Sequence, residues 1–417
     1  MTVDQAEEPR EPHLWLINHY AATPLDGAGG LRHHFLASRL GELGWTTTII
    51  AATTVHSSRE QRAASTLRRG RFGNVSWHWI KSPNYTSGGL SRLVNMLVFT
   101  ARLLVPRTTR SLSSPSMVLG STVHPLAAWA ALRLARRHRV PFIFEVRDLW
   151  PETLIDMGAL ARDGLPARLL RRLERHLYRN AELIITTMPE AHTYITTFGV
   201  DREKIVWISN GTDVDSYKLT PPPMNVPFRF LYCGTHGTAN DLEQIILGFH
   251  NAQNASGPGA MFLELVGNGP SKPALIELVD SLGLHESVLF SDAVLKSELP
   301  QMMEKADAVV LSMLPLKLYR FGISMNKLFD YLASARPVLL TGNPVNNVVR
   351  DANAGVWRRT NSASDISDGM TEMFESSYQD RAMWGANGFA VVKEEFSYEH
   401  LGKQLDLRLR PLLLNPR

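Results

Sequence analysis

The feature that most constrains this chain is an alternation of apolar runs with helical patterns, which stops at a proline-rich segment and then starts again. In the first half, the apolar runs 14–18, 46–51 and 142–146 alternate with amphipathic stretches. Such an alternation is typical of a parallel sheet covered by helices. The segment LTPPPMNVP (219–227) favours neither helix nor strand, and the alternation resumes at 228–233. The sequence therefore predicts an α/β fold of two doubly wound, Rossmann-like domains that face each other across a cleft.

We place the domain boundary just before the proline-rich segment, so that residues 1–212 form the first domain and residues 213–396 the second. A length of 417 residues exceeds what one hydrophobic core usually supports. With 44% hydrophobic and 20% charged residues, the composition is that of a water-soluble globular protein rather than a disordered one.

Cysteine content and the first residues of the chain indicate the compartment. The single cysteine, Cys233, excludes intrachain disulfides and cysteine-rich metal sites. The polar, acidic start of the chain lacks the basic and apolar regions of a secretory signal. The apolar stretches 90–105 and 117–135 are interrupted by charged residues, histidine or proline. We expect a cytoplasmic protein, with peripheral attachment to the inner face of the plasma membrane as an alternative.

Basic residues cluster in the first half of the chain, although the formal net charge is only +4. This asymmetry suggests an anionic surface or substrate facing that half, and we expect no nucleic-acid partner. The arginine-rich stretch 166–180 has apolar residues at helical spacing. Either a solvated helix or an interfacial helix on anionic lipid explains it.

A glycine-bearing turn follows the run FRFLYC, where an open parallel sheet places its ligands. Glycines there let backbone amides approach a diphosphate, and the helix that follows points its positive end inward. Because any strand-to-helix turn needs glycine, a purely structural turn is equally consistent. The candidate diphosphate-binding residues of this GTHG loop are Gly234, Thr235, His236 and Gly237.

The segment FGISMNKLFDYLASARPVLLTG combines a turn, a helix start and a following strand. Ser324 or Asn326 is expected to cap the helix, and Lys327 lies in its first turn. The helix dipole disfavours a cation in the first turn, so a lysine there is unusual unless an anion binds at the same site. Asp330 lies on the same helical face as Lys327. A local Lys327–Asp330 pair is the alternative to a lysine that binds phosphate and a carboxylate that binds ribose.

Two further glycine clusters follow strands. The residues Gly267, Asn268 and Gly269 of LVGNGPS either contact nucleotide or only turn the chain. In the first half, Gly29 and Gly30 precede the first helix in the corresponding position, and we expect them to face the same diphosphate.

Polar residues at other strand ends are candidates for the reacting centre. His124 follows the strand MVLGS, where it is either a structural histidine or a hydrogen-bond partner of a bound substrate. Asp148 in EVRDLWPE, with Arg147 and Glu152, is a site candidate or part of an ion pair that holds a loop. The D-x-D triplet from Asp213 favours a turn over a metal site, so we expect neither metal nor other cofactor.

These motifs resemble the retaining glycosyltransferase family four of the GT-B fold, and within it the bacterial branch that includes fucosamine transferases of O-antigen and capsule synthesis. The resemblance runs along nearly the whole chain. The matching motifs are the GG loop at Gly29, EVRDLWPE at Glu145, TMPEAH at Thr187, SNGTD at Ser209, YCGTHG at Tyr232, VGNGP at Val266, NKLFDY at Asn326 and FSYEHL at Phe396.

The resemblance implies residue roles and an activity. Asp330 is expected to bind ribose, Gly234–Gly237 and the helix at Ser324 to hold the diphosphate, Gly30 to face it, and His124 to lie near the sugar. A terminal helix at about 397–417 is expected to pack back onto the first domain. The implied activity is retaining transfer of a hexosyl or N-acetylhexosaminyl group from a nucleotide sugar, by preference a UDP-sugar, to a polyprenyl-diphosphate glycan or another hydroxyl acceptor.

Two departures from the family affect the charge at the leaving group. Gly322 stands where many members have a glutamate, and the GTHG loop lacks their arginine and lysine. We assign the stabilising charge to Lys327, aided by Arg320 and His236. Two other functions compete with transfer: a sugar-nucleotide epimerase of the same fold, and a non-catalytic nucleotide-binding partner subunit.

Overall fold

The computed structural model describes residues 11–26, 30–54, 69–85 and 89–414. The first domain contains a sheet of eight strands, all parallel except β3, which pairs antiparallel with β4. The strands are β1 (His13–Ile17), β2 (Thr46–Ala52), β3 (Arg69–Phe72), β4 (Val75–Ile80), β5 (Met117–Ser121), β6 (Phe142–Val146), β7 (Leu183–Thr186) and β8 (Ile205–Trp207). Their order across the sheet is β3-β4-β2-β1-β5-β6-β7-β8.

Helices cover both faces of this sheet. The helices of this part of the chain are α1 (Arg32–Glu42), α2 (Leu90–Leu104), α3 (Pro106–Thr109), α4 (Pro125–His138), α5 (Glu152–Asp156), α6 (Leu165–Asn180) and α7 (Ala191–Ile195). One core joins α2, α4 and α6 to the sheet, and a second core lies under α1 on the opposite face. Because the strands are buried on both faces, their sequences are near-continuous apolar runs.

The second domain has a six-stranded parallel sheet. Its strands are β9 (Phe228–Cys233), β10 (Met261–Val266), β11 (Val288–Ser291), β12 (Ala308–Ser312), β13 (Val338–Thr341) and β14 (Gly355–Arg358), in the order β11-β10-β9-β12-β13-β14. Its helices, and the helix that follows it, are α8 (Leu242–Ser256), α9 (Lys272–Ser281), α10 (Leu299–Met303), α11 (Asn326–Ala333), α12 (Val348–Asp351), α13 (Ala363–Glu375), α14 (Tyr378–Val391) and α15 (Tyr398–Leu413). The predicted two-domain α/β architecture is therefore present.

Both sheets reverse their strand order at one point, between β1 and β5 in the first and between β9 and β12 in the second. Ligands of doubly wound sheets bind beyond the carboxyl ends of the strands at this switch point. The GTHG loop leaves β9, and His124 follows β5. The topology thus places both predicted motifs where ligands bind.

Two chain segments connect the domains. The backbone of Thr212 donates to the carbonyl of Phe396 at 3.1 Å, and Tyr398 donates to the carbonyl of Thr212 at 3.1 Å. Beyond this crossing, α15 packs against α1, with the ring of Phe35 stacked on Tyr398 at 5.0 Å. The last described helix of the chain thereby belongs to the core of the first domain.

Among the elements that the sequence did not predict are the β3–β4 hairpin, the helix α2 and the edge strand β14. Helix α2 occupies most of the apolar stretch 90–105 and packs along one side against the first core. Within the described ranges, no helix combines the length and hydropathy needed to span a bilayer.

Candidate active site

Lys327 and the GTHG loop meet beyond the carboxyl end of β9. The Nζ atom of Lys327 donates to the hydroxyl of Tyr232 at 2.9 Å and also to Oδ1 of Asn240. It lies 4.8 Å from the centre of the Tyr232 ring. A Cβ atom on Gly234 would lie only 3.1 Å from Nζ. The two predicted motifs therefore form one pocket wall, with the amine against the loop backbone.

The amine of Lys327 is poised for an anion. Burial lowers the pKa of Lys327 to about 7, since no carboxylate pairs with Nζ in the described structure. Lys327 is also the second residue of α11, where the helix dipole disfavours a cation. An anion at this position would relieve both penalties. The predicted pair with Asp330 does not form, because the two side chains have different partners.

The start of α11 differs from the prediction. The helix begins at Asn326 with Met325 as its N-cap residue, and no side chain caps it. Ser324 instead turns towards the interdomain linker, where Oγ accepts from the backbone N–H of Asn210 at 2.8 Å. The prediction that Ser324 or Asn326 caps this helix is therefore wrong. The first N–H groups of α11 carry no side-chain acceptor, as an anion site requires.

The loop of Gly267, Asn268 and Gly269 supports the GTHG loop from behind. The backbone N–H of His236 donates to the carbonyl of Asn268 at 3.0 Å. A Cβ on Gly267 would lie 1.9 Å from the carbonyl oxygen of Gly234, and one on Gly269 would lie 2.3 Å from that of His236. Close packing of two backbones is the physical reason for these glycines.

His236 does not supply positive charge. Its side chain is fully buried, and desolvation, with the nearby Lys272 and Lys327, lowers its pKa to about 4. The ring is therefore neutral near neutral pH. In the absence of a bound anion, His236 therefore adds no positive charge beside Lys327. Thr235 is exposed, and Gly237 has space around it for a side chain, so these two residues are the open part of the loop.

Asp330 is buried and bonded within the protein. Its Oδ1 accepts from the hydroxyls of Thr212 at 2.7 Å and Tyr217 at 3.1 Å, and Oδ2 forms an ion pair with Lys296. Each carboxylate oxygen thus has a partner near the interdomain crossing. The predicted ribose contact would require one of these partners to be exchanged.

Arg320 lies away from Lys327, on the opposite side of the segment that leads into α11. It lines a cavity of about 480 Å³ together with Glu190, Tyr194 and Phe321. Its guanidinium carbon lies 4.6 Å from the centre of the Phe321 ring. The structure therefore does not bring Arg320 together with Lys327, because the 3-10 turn 317–321 directs it towards the first domain.

Gly30 faces the second domain across the cleft. A Cβ on Gly30 would lie 3.3 Å from Nδ2 of Asn326 and 3.8 Å from a terminal nitrogen of Arg147. The missing side chain leaves room between the start of α1 and the start of α11. Gly29 lies outside the described residues. Arg147 adds a second positive charge near this opening, a role that the sequence suggests only through its place at a strand end.

His124 is the N-cap residue of α4 and is buried. Its Nδ1 accepts from the backbone N–H of Ala127 at 3.3 Å, so Nε2 carries the proton and donates to Nδ1 of His19 at 2.7 Å. Desolvation, with the charge of Arg92, lowers the pKa of His124 to about 3. Both ring nitrogens are engaged, so the predicted sugar contact requires one of these bonds to be exchanged.

Asp148 follows β6 and is exposed at the end of the strand. Asp148 is therefore an accessible group that can accept a proton or a hydrogen bond on the side of the first domain.

A buried charge network beneath Gly30 was missed from the sequence. Nε of Arg32 donates to Glu145 at 2.9 Å, and Nε2 of His33 lies 2.6 Å from the other oxygen of the same carboxylate. Burial raises the pKa of Glu145, but His33 and Arg32 outweigh it and hold the pKa well below its usual range. Arg32 also donates to the carbonyl of Ile208 at 3.0 Å. The network fixes the start of α1 against β6 and the interdomain linker.

The D-x-D triplet makes protein contacts. Asp213 accepts from the hydroxyl of Ser216 at 2.8 Å, and Asp215 lies 3.3 Å from Arg39. Across residues 11–26, 30–54, 69–85 and 89–414, no group of three or more His, Cys, Asp or Glu side chains is close enough to hold a metal ion.

Comparison with known families agrees with this geometry. Residues 29–211 match the family described as "Glycosyl transferase 4-like domain", and residues 226–391 match "Glycosyl transferases group 1". The chain is therefore a glycosyltransferase of the GT-B fold. It is similar to family four, with one matched region in each domain.

Individual relatives are distant. The chain is 22% identical over 283 residues to the "Probable glycosyltransferase WbjE" of Pseudomonas aeruginosa, covering 64% of this chain and 67% of that protein. It is 25% identical over 257 residues to the D-inositol 3-phosphate glycosyltransferase of Nocardia farcinica, covering 56% of this chain and 53% of that protein. The chain thus spans about two thirds of the first relative and about half of the second.

Solved structures share the fold. Sucrose-phosphate synthase (tll1590) from Thermosynechococcus elongatus superimposes with a TM-score of 0.75 at 15% identity, covering 97% of this chain and 99% of that one. Anabaena Alr3699/HepE in complex with UDP-glucose superimposes with a TM-score of 0.67 at 16% identity, covering 96% and 99%. At such identities the likeness establishes the fold alone.

Proposed function

We propose that this glycosyltransferase transfers a hexosyl or N-acetylhexosaminyl group from a UDP-sugar, with retention, to a lipid-linked glycan of cell-surface polysaccharide synthesis. The observation that carries the proposal is the position of Lys327 Nζ against Gly234 and the first turn of α11. A cation, a glycine backbone and an uncapped helix start converge there, and a diphosphate has the charge and size to bind all three.

The donor is assigned to the second domain. The diphosphate would accept from the amides of the GTHG loop and from Lys327, with Gly30 and Arg147 facing it from the first domain. UDP is supported by the fold relative Alr3699/HepE, whose structure holds UDP-glucose. The ribose role of Asp330 rests on the family resemblance, and Lys296 would have to release one oxygen for it.

The proposed chemistry depends on stabilising the leaving group. As the bond from the anomeric carbon to the diphosphate breaks, negative charge grows on the diphosphate oxygen, and protonated Lys327 neutralises it. The acceptor hydroxyl attacks from the same face, which retains the anomeric configuration. Its proton passes to the departing diphosphate, so no enzyme nucleophile is needed. Closure of the two domains would exclude water that otherwise hydrolyses the donor.

The acceptor is assigned to the first domain. Asp148 is accessible there and can hydrogen-bond an acceptor hydroxyl. His124 lies after β5, near the switch point of the first sheet. A polyprenyl-diphosphate glycan fits the basic character of this half of the chain.

One experiment tests donor, acceptor and stereochemistry together. The protein is incubated with UDP-, GDP- and TDP-sugars and with membrane lipid fractions, and the mass of the lipid products is measured. With a UDP-sugar only, we expect the mass of the lipid product to increase by one hexose or N-acetylhexosamine. We also expect the anomeric proton signal of the product to show the same configuration, axial or equatorial, as that of the donor. Interconversion of the donor sugar without transfer would establish an epimerase instead, and UDP binding without any turnover would indicate a partner subunit.

A further inference from the structure

Helix α2 carries an exposed apolar stripe. Leu90, Leu93, Val94 and Leu97 are 76%, 46%, 43% and 48% exposed. Their spacing of three and four residues places them on one side of a helix. The opposite side, which includes Phe99, is buried in the first core. The apolar stripe is therefore not needed to pack α2 onto the domain, because the opposite side of the helix already does so.

The segment of the chain that carries this stripe has charges of one sign. The sequence contains no Asp or Glu from residue 61 to residue 144, and 13 Lys and Arg residues occur in that stretch. On and after α2, Arg102, Arg107 and Arg110 are exposed. An 84-residue segment without a carboxylate is unusual for a chain whose net charge is only +4. Apolar side chains among exposed cations match the boundary of an anionic bilayer.

The neighbouring helices extend the same surface. Helix α4 packs beside α2, and α6 packs beside α4 on the same face of the sheet. The exposed arginines here are Arg133, Arg136 and Arg137 on α4, Arg139 directly after it, and Arg168, Arg172, Arg175 and Arg179 on α6. Leu165 and Leu169 at the start of α6 are 70% and 56% exposed. The three helices thus form a continuous basic face with its apolar stripe on α2.

We propose that α2 is an interfacial helix that docks the first domain onto an anionic lipid bilayer, with Leu90, Leu93, Val94 and Leu97 inserted and the surrounding arginines on lipid phosphates. The helix has 15 residues, about 22 Å at 1.5 Å per residue, and it carries two arginines. These properties suit a helix that lies in the plane of the interface. A second copy of the chain would bring its own basic face, and the two faces would repel each other.

The docking helix also borders the candidate acceptor region. From its inner side, Asn95 accepts from the hydroxyl of Tyr20 at 3.0 Å, and Arg92 lies 6.0 Å from the centre of the Tyr20 ring. The ring of Tyr20 stacks on His19, the partner of His124. This step rests on the proposed function: a lipid-linked acceptor held in the bilayer would reach the first domain beside His124.

The test is vesicle co-sedimentation of the full chain with phosphatidylcholine vesicles, with or without phosphatidylglycerol, at low and high salt. The test variant is Leu93→Glu with Leu97→Glu. The matched control is Met383→Glu with Leu407→Glu, which places the same charges at exposed apolar positions on α14 and α15, 45% and 70% exposed. UDP binding by each protein is measured separately, without vesicles. It shows whether the protein is folded and whether its donor site is intact.

We expect the parent and the control to bind anionic vesicles at low salt and the test variant to lose at least tenfold in partition coefficient with UDP binding unchanged. Equal binding by the test variant and the parent would overturn the proposal. A parent that ignores vesicles but dimerises through this face, with dimerisation lost in the test variant, would assign the face to a second copy. A third outcome is a parent protein that binds vesicles through α2 but does not bind UDP. This result would support the docking proposal and refute the proposed UDP-sugar donor.

Discussion

The Nζ atom of Lys327 lies 2.9 Å from the hydroxyl of Tyr232, and the strand that carries Tyr232 leads directly into the GTHG loop. The lysine comes from α11, almost one hundred residues further along the chain, so one hydrogen bond joins the two motifs. No carboxylate is among its hydrogen-bonding or ion-pairing partners in the described part of the chain. A half-buried lysine whose amine has only neutral partners is a site for an incoming anion.

Replacing Lys327 by Met should lower kcat by about a hundredfold to a thousandfold, because one preorganised charge at a leaving group contributes on this scale. Folding should be retained, since methionine fills similar space without a buried charge. Initial rates of UDP release, with a thermal melt of the same sample, measure both effects. Tyr232→Phe is the matched control, because it removes the 2.9 Å hydrogen bond and keeps the amine. Unchanged turnover in Lys327→Met would refute leaving-group stabilisation by this residue.

Binding of UDP should take up a proton at Lys327 above neutral pH. Burial lowers the pKa of the free amine to about 7, so at about pH 8 most molecules carry a neutral amine. A bound diphosphate raises that pKa, and close to one proton enters per UDP; at about pH 6 the amine is already charged and uptake should be small. Calorimetry in two buffers of different ionisation enthalpy measures the uptake. If Lys327→Met retained the same uptake at about pH 8, the proton would belong to another group.

The sequence predicted the strands of the cores well, because runs buried on both faces are continuous and apolar. The strands 142–146, 308–312 and 338–341 have the predicted ends. The hairpin of β3 and β4 was missed because its residues alternate aromatic, polar and basic side chains, and its pairing at the sheet edge depends on the rest of the fold.

Within the site, the predictions that were local in sequence correspond best to the structure. The GTHG loop and Lys327 each carry a local signal, a glycine turn after a strand and a cation in a first helical turn. The network of Arg32, His33 and Glu145 carries none, because Glu145 lies more than one hundred residues from Arg32 and His33 in the chain. The side-chain partners of Asp330 likewise depend on the interdomain crossing, which no periodicity in the sequence reveals.

Replacing Gly30 by Val should lower kcat/KM for the donor by about tenfold or more, because displacing the facing domains by even ~1 Å misaligns the reacting groups. The added atoms would enter the space where a Cβ already lies 3.3 Å from Nδ2 of Asn326. Asn326→Ala in the same chain removes that amide and should recover part of the loss, and the Asn326→Ala single variant completes the cycle. Strictly additive effects of the two substitutions would show that Gly30 and Asn326 do not meet during turnover.

The two glycines that flank His236 in space should respond differently to alanine. In Gly269→Ala, the new Cβ would lie 2.3 Å from the carbonyl oxygen of His236, a backbone atom that cannot move without breaking the GTHG loop. We expect a loss of about 3 kcal/mol in the free energy of unfolding, the scale of strained or overpacked backbone sites. In Gly237→Ala, the nearest atom is Cγ2 of Thr235 at 3.8 Å, so stability should stay within about 0.5 kcal/mol of the parent. Urea unfolding of both variants measures the difference. Equal stabilities would mean that the two loops are not interlocked, and the glycines of VGNGP would then need a reason in ligand binding.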